Sequence, residues 1–298
     1  MTRIVETLAE ISEPYDALLC DLWGCVHDGE TPLPAAVAAL QRFRAGAADK
    51  RVILITNAPR QKAEIAAELD RMGLPRDCWD DIASSGDTAR AAMFRGAVGE
   101  KVWFIGEPRD TVFFEPMEEI ADAARIERVA LDAAEGIVCT GPFDPLADPE
   151  ELRPQLLYAK QKGLKLLCAN PDIVVDRGEV REWCAGAVAR LYEEMGGEAQ
   201  YFGKPQPAIY DLARIRLANT GGTIDPSRIL AIGDGILTDI KGALGEDIDS
   251  LFITGGLAAA ETGTMTGAGA AGQPDPGKLA DFIASEMVTP TFAAGFLR

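Results

Sequence analysis

Four short apolar stretches in this chain each run into a group that can do chemistry, and that repetition limits the fold more than any other feature. Ala17-Leu18-Leu19-Cys20 leads into Asp21, and Val52-Ile53-Leu54-Ile55 leads into Thr56 and Asn57. Phe202-Gly203 precedes Lys204-Pro205, and Ile229-Leu230-Ala231-Ile232-Gly233 leads into Asp234, with Asp239 shortly after. Short continuous apolar runs are the mark of strands buried on both faces, as in a parallel sheet. An acid at the carboxyl end of such a strand stands where open α/β sheets place their ligands. Taken alone, an Asp followed by Gly is equally a turn former. The ordered set of acid, hydroxyl, lysine and paired acids is what points to a phosphoryl group and a divalent cation held at one sheet edge.

Between these runs lie segments of helical length. Residues 34–43 read as a helix with Pro34 near its start, and 59–72 as a second, opened by Asn57 as cap and closed by Gly73. Residues 87–94 read as a third. A further βα series follows, with strands at 101–106, 137–139 and 165–168 and helices at 115–124 and 149–162. Strands alternating with helices predict a doubly wound parallel sheet. Residues 263–277, rich in Gly, Ala, Thr and Pro, read as a surface loop.

With 298 residues the chain is long enough for two compact units. The formal net charge of −18 argues against nucleic acid or an anionic membrane as partner. It leaves room for a phosphorylated small molecule, because a bound cation and one lysine make a local positive site. No apolar stretch approaches the roughly 20 residues needed to span a bilayer, and the amino-terminal residues lack a secretory pattern. The expected location is cytoplasmic. The six cysteines form no C-x-x-C pair, and Cys20, Cys139 and Cys168 sit in apolar runs as buried thiols.

The four motifs resemble those of the haloacid dehalogenase (HAD) superfamily of aspartate-nucleophile phosphotransferases. The middle region resembles its class IIA branch, the 4-nitrophenylphosphatase-like sugar and nucleotide phosphatases. The resemblance covers roughly residues 15–256. It implies a Rossmann-like α/β core at residues 1–99 and 199–298, with an inserted α/β cap at 100–198.

The resemblance also implies roles. Asp21 is the nucleophile, which splits transfer into forming and hydrolysing an aspartyl phosphate. Asp21, Asp234 and the backbone carbonyl of Trp23 hold Mg²⁺, an ion that prefers hard oxygen ligands. Asp239 is a further ligand or braces one; the other reading is a helix N-terminal acid favoured by the dipole. Thr56, with Asn57, offers a hydroxyl and an N–H to phosphate, against a plain strand end followed by a cap. Lys204 pairs with phosphate and Asp21, against the bland reading of a solvated loop lysine. Asn170 and Asp172 stand where the family carries substrate-contacting groups, although an Asn-Pro-Asp turn needs no function to exist.

One position departs from the family. Its first motif usually reads Asp-x-Asp-Gly, and Trp23 replaces the second Asp. That residue normally protonates the leaving group, and losing such a group costs about 10²–10⁴-fold. His27, the only histidine, lies just beyond the turn with Asp28 beside it, and is the candidate substitute; otherwise it is an ordinary loop side chain. The leading expectation is a Mg²⁺-dependent phosphatase of a small organic phosphate, such as a sugar or nucleotide phosphate. The alternatives are a catalytically weak protein that binds a phosphorylated metabolite, or a HAD hydrolase of a non-ester substrate. A homo-oligomer is left open.

Overall fold

The computed structural model describes residues 2–117, 120, 122–177, 180–265 and 272–298. Its contacts divide the chain into two compact units. One comprises Met1–Thr56, Ala66–Ala83 and Tyr210–Arg298, the other Asn57–Ile65 and Ser84–Ile209.

In chain order the strands are β1 (Arg3–Ile4), β2 (Ala17–Cys20), β3 (Arg51–Thr56), β4 (Asp81–Ser84), β5 (Lys101–Ile105), β6 (Glu127–Arg128) and β7 (Gly136–Cys139). They continue as β8 (Lys165–Cys168), β9 (Val174–Arg177), β10 (Val180–Trp183), β11 (Glu198–Tyr201), β12 (Ile229–Gly233), β13 (Asp249–Ile253) and β14 (Phe292–Ala294). The α-helices are α1 (Pro34–Ala45), α2 (Lys62–Met72), α3 (Ser85–Phe94), α4 (Arg153–Gln161), α5 (Ala185–Glu194), α6 (Pro207–Gly221), α7 (Lys241–Gly245), α8 (Ala259–Thr262) and α9 (Pro276–Glu286). No helix among the described residues is long and apolar enough to cross a membrane.

The first unit is built on a seven-stranded sheet of order β1-β14-β13-β12-β2-β3-β4. Strands β3, β2, β12, β13, β14 and β1 pair in parallel. Every residue of β2 and β12 is buried, as expected of strands covered on both faces. From β2 the chain builds outward through β3 and β4, then returns to add β12, β13 and β14 on the other side. The order therefore reverses between β2 and β12, which makes the carboxyl ends of those two strands the switch point of the sheet. Helix α1 begins with Pro34 in its first turn and buries Ala36, Val37, Ala39, Leu40 and Phe43. Helix α9 is capped by Asp275, whose carboxylate accepts from Gly277 and Lys278 N–H. Its Phe282 stacks on Phe252 of β13.

The second unit holds a five-stranded sheet of order β11-β8-β7-β5-β6, with all pairs parallel, and the antiparallel hairpin β9–β10. Successive side chains of a strand point to opposite faces. Thus Ile137, Cys139, Leu166 and Cys168 face one layer, with Leu156 and Ala159 of α4 and Val188, Leu191 and Tyr192 of α5. Val138 and Leu167 face the other, with Ala89, Met93 and Phe94 of α3.

Three expectations change here. The second unit is larger than residues 100–198: α3 packs in its core, and β11 pairs with β8, so both belong to its sheet layers. The second helix starts at Lys62 rather than 59, and Asn57 does not cap it, because its carboxamide is engaged elsewhere. The helix expected at 115–124 is absent among the described residues, with 118, 119 and 121 outside them. The preceding residues Pro108–Phe114 form a 3₁₀ turn instead. Arg90 holds that segment by donating to the carbonyls of Phe113 and Glu115. Of the expected loop at 263–277, residues 266–271 lie outside the described residues.

Candidate active site

In the first unit, Asp21 follows β2 and extends its ladder, its N–H donating to Ile232 O at 2.8 Å. Asp234 follows β12, and the two acids flank the switch point. Both are buried, and their carboxylates, together with the Cys25 thiol, offer ligand atoms within 4.8 Å of one another. Two buried carboxylates at that spacing repel unless a cation joins them, so the pair fits a small, oxygen-preferring divalent ion. Sequence reasoning missed Cys25, because one cysteine in a turn carries no ligand spacing. Burial and the nearby Asp234 and Asp21 carboxylates push its thiol well above the ordinary range.

The turn after Asp21 is tightly closed: Val26 N–H donates to Leu22 O at 2.8 Å and Gly24 N–H to His27 O at 3.0 Å. Gly24 has φ +71°, and a Cβ there would lie 2.3 Å from Asp234 Oδ2, so only glycine lets the two loops meet. On the far side, Leu257 N–H donates to the same oxygen at 3.0 Å. Asp239 is buried in a π-helical turn at Ile236–Ile240, where its Oδ2 accepts from Gly235 N–H and the Thr238 hydroxyl, each at 3.2 Å. It packs on Gly233, the residue before Asp234.

Trp23 leans on Gly29, where a Cβ would come within 2.5 Å of the indole. Its ring meets His27 edge-on, with centroids 5.3 Å apart. His27 is buried, and its Nδ1 accepts from Gly29 N–H at 3.0 Å, which places the proton of the neutral ring on Nε2. Asp28 accepts from Thr31 and Glu30 N–H at 2.7 and 3.0 Å. Partial burial acts to raise its carboxyl, but these bonds outweigh it and hold the group below the usual range. Asp28 is therefore a turn acid. Thr56 ends β3, beside β2, and is buried.

The remaining predicted residues gather in the second unit. Asn57 Oδ1 accepts Lys204 N–H at 2.7 Å, and its Nδ2 donates to Lys204 O at 3.2 Å and to Asp172 Oδ1 at 2.8 Å. Asp172 N–H in turn donates to Asn170 Oδ1 at 3.0 Å. Gly203 permits this packing, since a Cβ there would lie 2.3 Å from Asn57 Oδ1. Lys204 is only 2% exposed, not the solvated lysine of the bland reading. A buried lysine needs an anionic or polar partner.

The fold is shared with known proteins. The structure of a haloacid dehalogenase-like hydrolase from Brucella suis 1330 superposes with TM-score 0.83 at 36% identity, over 99% of this chain and 100% of that one. The chain belongs to the haloacid dehalogenase-like hydrolases. Residues 18–118 match the model described as haloacid dehalogenase-like hydrolase, and 201–276 match a second HAD-hydrolase-like model. The fold is also that of the class IIA branch: a 4-nitrophenylphosphatase from Thermotoga maritima aligns with TM-score 0.65 and 18% identity over 94% of each chain. Among curated proteins, a D-glycerol 3-phosphate phosphatase of Mycobacterium tuberculosis is 26% identical over 257 residues, 84% of this chain and 66% of that protein.

Proposed function

We propose that this hydrolase is a Mg²⁺-dependent phosphatase of a small phosphorylated metabolite such as a sugar, glycerol or nucleotide phosphate. The observation that carries this reading is the pair of buried carboxylates, Asp21 and Asp234, at the switch point of a parallel sheet. Their side chains and the Trp23 carbonyl would hold Mg²⁺, with Asp239 bracing the Asp234 loop. When bound, the ion supplies positive charge against both the nucleophile and the phosphate.

Asp21 then attacks phosphorus in line with the ester oxygen. The P–O ester bond breaks, the leaving oxygen takes a proton from water or from His27, the candidate acid of the turn, and the phosphoryl group is carried as an aspartyl phosphate. Water attacks that acyl phosphate, releasing inorganic phosphate and restoring the carboxylate. The Thr56 hydroxyl and the Lys204 ammonium bind the equatorial oxygens, where negative charge is spread in the transition state. Asn57 fixes the lysine by gripping its backbone at both N–H and C=O. The second unit corresponds to the family's cap, and Asn170 and Asp172 are its candidate substrate-binding residues. Among the described residues all six cysteines are buried thiols outside any disulfide, which suits a reducing, cytoplasmic setting.

The indole of Trp23 can neither donate nor accept the proton that the family's second Asp would move. Turnover therefore favours substrates whose leaving group needs little protonation. Trp23 is also the one observation that favours the second reading, a protein that binds a phosphorylated metabolite and turns it over weakly. A panel of phosphate esters assayed with and without Mg²⁺, with Asp21→Asn as control, separates the two. Mg²⁺-dependent phosphate release lost in Asp21→Asn supports the phosphatase. Binding without release from any ester supports the second reading.

A further inference from the structure

The buried cluster at the switch point has a third member that Mg²⁺ does not use. Cys25 offers its Sγ beside the carboxylate oxygens of Asp21 and Asp234, all three ligand atoms lying within 4.8 Å of one another. The three residues belong to one compact unit. Sulfur reaches the acids because the turn after β2 folds back on itself and Gly24 lets it close against Asp234.

This thiol is unlike those of the strands. Cys20 Sγ donates to Asp21 O at 3.3 Å, Cys139 Sγ to Gly141 O at 3.6 Å and Cys168 Sγ to Asn170 O at 3.2 Å. Cys25 is 0% exposed, and its Sγ makes no hydrogen bond among the described residues. A buried thiol often serves as a small hydrophobe. Here, however, the sulfur stands against two carboxylates, which give it no apolar surface to pack on.

A thiolate beside two carboxylates changes which metal the cluster prefers. Oxygen ligands alone suit a hard ion, whereas sulfur selects a softer one. Zn²⁺ takes cysteine sulfur at about 2.3 Å and carboxylate oxygen at about 2.0–2.2 Å, in a tetrahedron. Ligand atoms around such an ion stand about 3.4–3.6 Å apart, so a small inward turn of the three side chains closes the set. Mg²⁺ wants six oxygens and gains nothing from the sulfur.

We propose that Asp21, Asp234 and Cys25 together form a site for a thiophilic divalent cation, Zn²⁺, in which Cys25 sets the preference over Mg²⁺. As the ion binds, the S–H proton passes to solvent and an Sγ–Zn bond takes its place. Both ions need Asp21 and Asp234, so Zn²⁺ excludes Mg²⁺. The tetrahedral ion keeps one open position, where octahedral Mg²⁺ keeps several.

The test uses the full chain stripped of metal by a chelator, with no ester present, so its outcome is independent of whether the protein is a phosphatase. Co²⁺, a spectroscopic substitute for Zn²⁺, should give the wild type a near-ultraviolet sulfur-to-cobalt charge-transfer band. Absence of that band overturns the proposal whatever the variants do. Cys25→Ser and Asp234→Asn should both lose the band; its survival in either places the metal elsewhere and overturns the site. By calorimetry, Zn²⁺ should bind Cys25→Ser at least about tenfold more weakly, the loss that removing an outer-shell partner already causes. Mg²⁺ affinity in the same variant should be unchanged. Equal losses of Zn²⁺ and Mg²⁺ in Cys25→Ser would show a merely structural role for the thiol and overturn the proposal.

Discussion

Gly256 lies so close to Asp234 that a Cβ on it would sit 2.0 Å from the carboxylate oxygen Oδ2. The next residue, Leu257, donates its N–H to that same oxygen. The acid is thus gripped between the turn after β2, at Gly24, and the turn after β13. Gly256→Ala should push the carboxylate aside and raise the Mg²⁺ concentration for half-maximal activity at least tenfold, with excess Mg²⁺ restoring part of the rate. Leu257→Ala keeps the N–H and removes an exposed side chain, so its Mg²⁺ titration should match the wild type.

Asp21→Asn should keep the fold and abolish turnover, since an amide does not form the phosphoryl intermediate. Trapping with beryllium fluoride, or mass spectrometry after rapid acid quench, should find the modification at Asp21 in the wild type and nowhere in the variant. Modification at another acid would reassign the nucleophile.

For Trp23, the prediction concerns leaving groups. Trp23→Asp should raise turnover of alkyl phosphates by up to about 10²-fold while changing 4-nitrophenyl phosphate little, because the phenolate needs no proton. His27→Gln tests whether the imidazole has taken over proton transfer. A large fall in kcat with phosphate affinity unchanged would give it that role. Unchanged kcat would leave His27 as a support for the Gly29 turn.

Asn57→Ala removes both grips on the Lys204 backbone and leaves buried groups unpaired, at a cost of about 1–3 kcal/mol. Inhibition by inorganic phosphate should weaken in parallel with kcat/KM, whereas the Mg²⁺ requirement should not change. A shift in the Mg²⁺ titration alone would contradict this assignment.

Asp16, at the entry to β2, is held below the usual carboxylate range by its hydrogen bonds to the Arg228 guanidinium, one of them 2.6 Å. A depressed folded-state value means the unfolded chain takes up the proton first. The pair's stabilisation is therefore present above the unfolded value and is lost as pH falls through the folded one. The pair is largely exposed, so solvent screening keeps the effect small. Melting curves of Asp16→Asn and wild type should differ most near neutral pH and converge in acid. A constant difference would show that the titration is not the cause.

Much of this protein was legible in its sequence. The apolar runs ending at Cys20, Ile55 and Gly233 are strands because only buried parallel strands tolerate unbroken apolar side chains on both faces, and they carry Asp21, Thr56 and Asp234 at their ends. The α/β class, the order of the motifs and the departure at Trp23 needed nothing else. Other features depend on contacts between residues far apart in the chain, which no local pattern encodes. Asn57 reads as a helix cap, yet its carboxamide is drawn away by the backbone of Lys204. Cys25 reads as a turn residue, and it becomes a neighbour of two carboxylates only when β2 and β12 pair. The limits of the second unit follow which sheet α3 and β11 pack against, and that is decided by the burial of Met93, Phe94 and Leu167 rather than by chain order. Strand and helix identity come from side-chain periodicity, which is local; the partners of a polar side chain come from register and layer packing, which only the folded chain has.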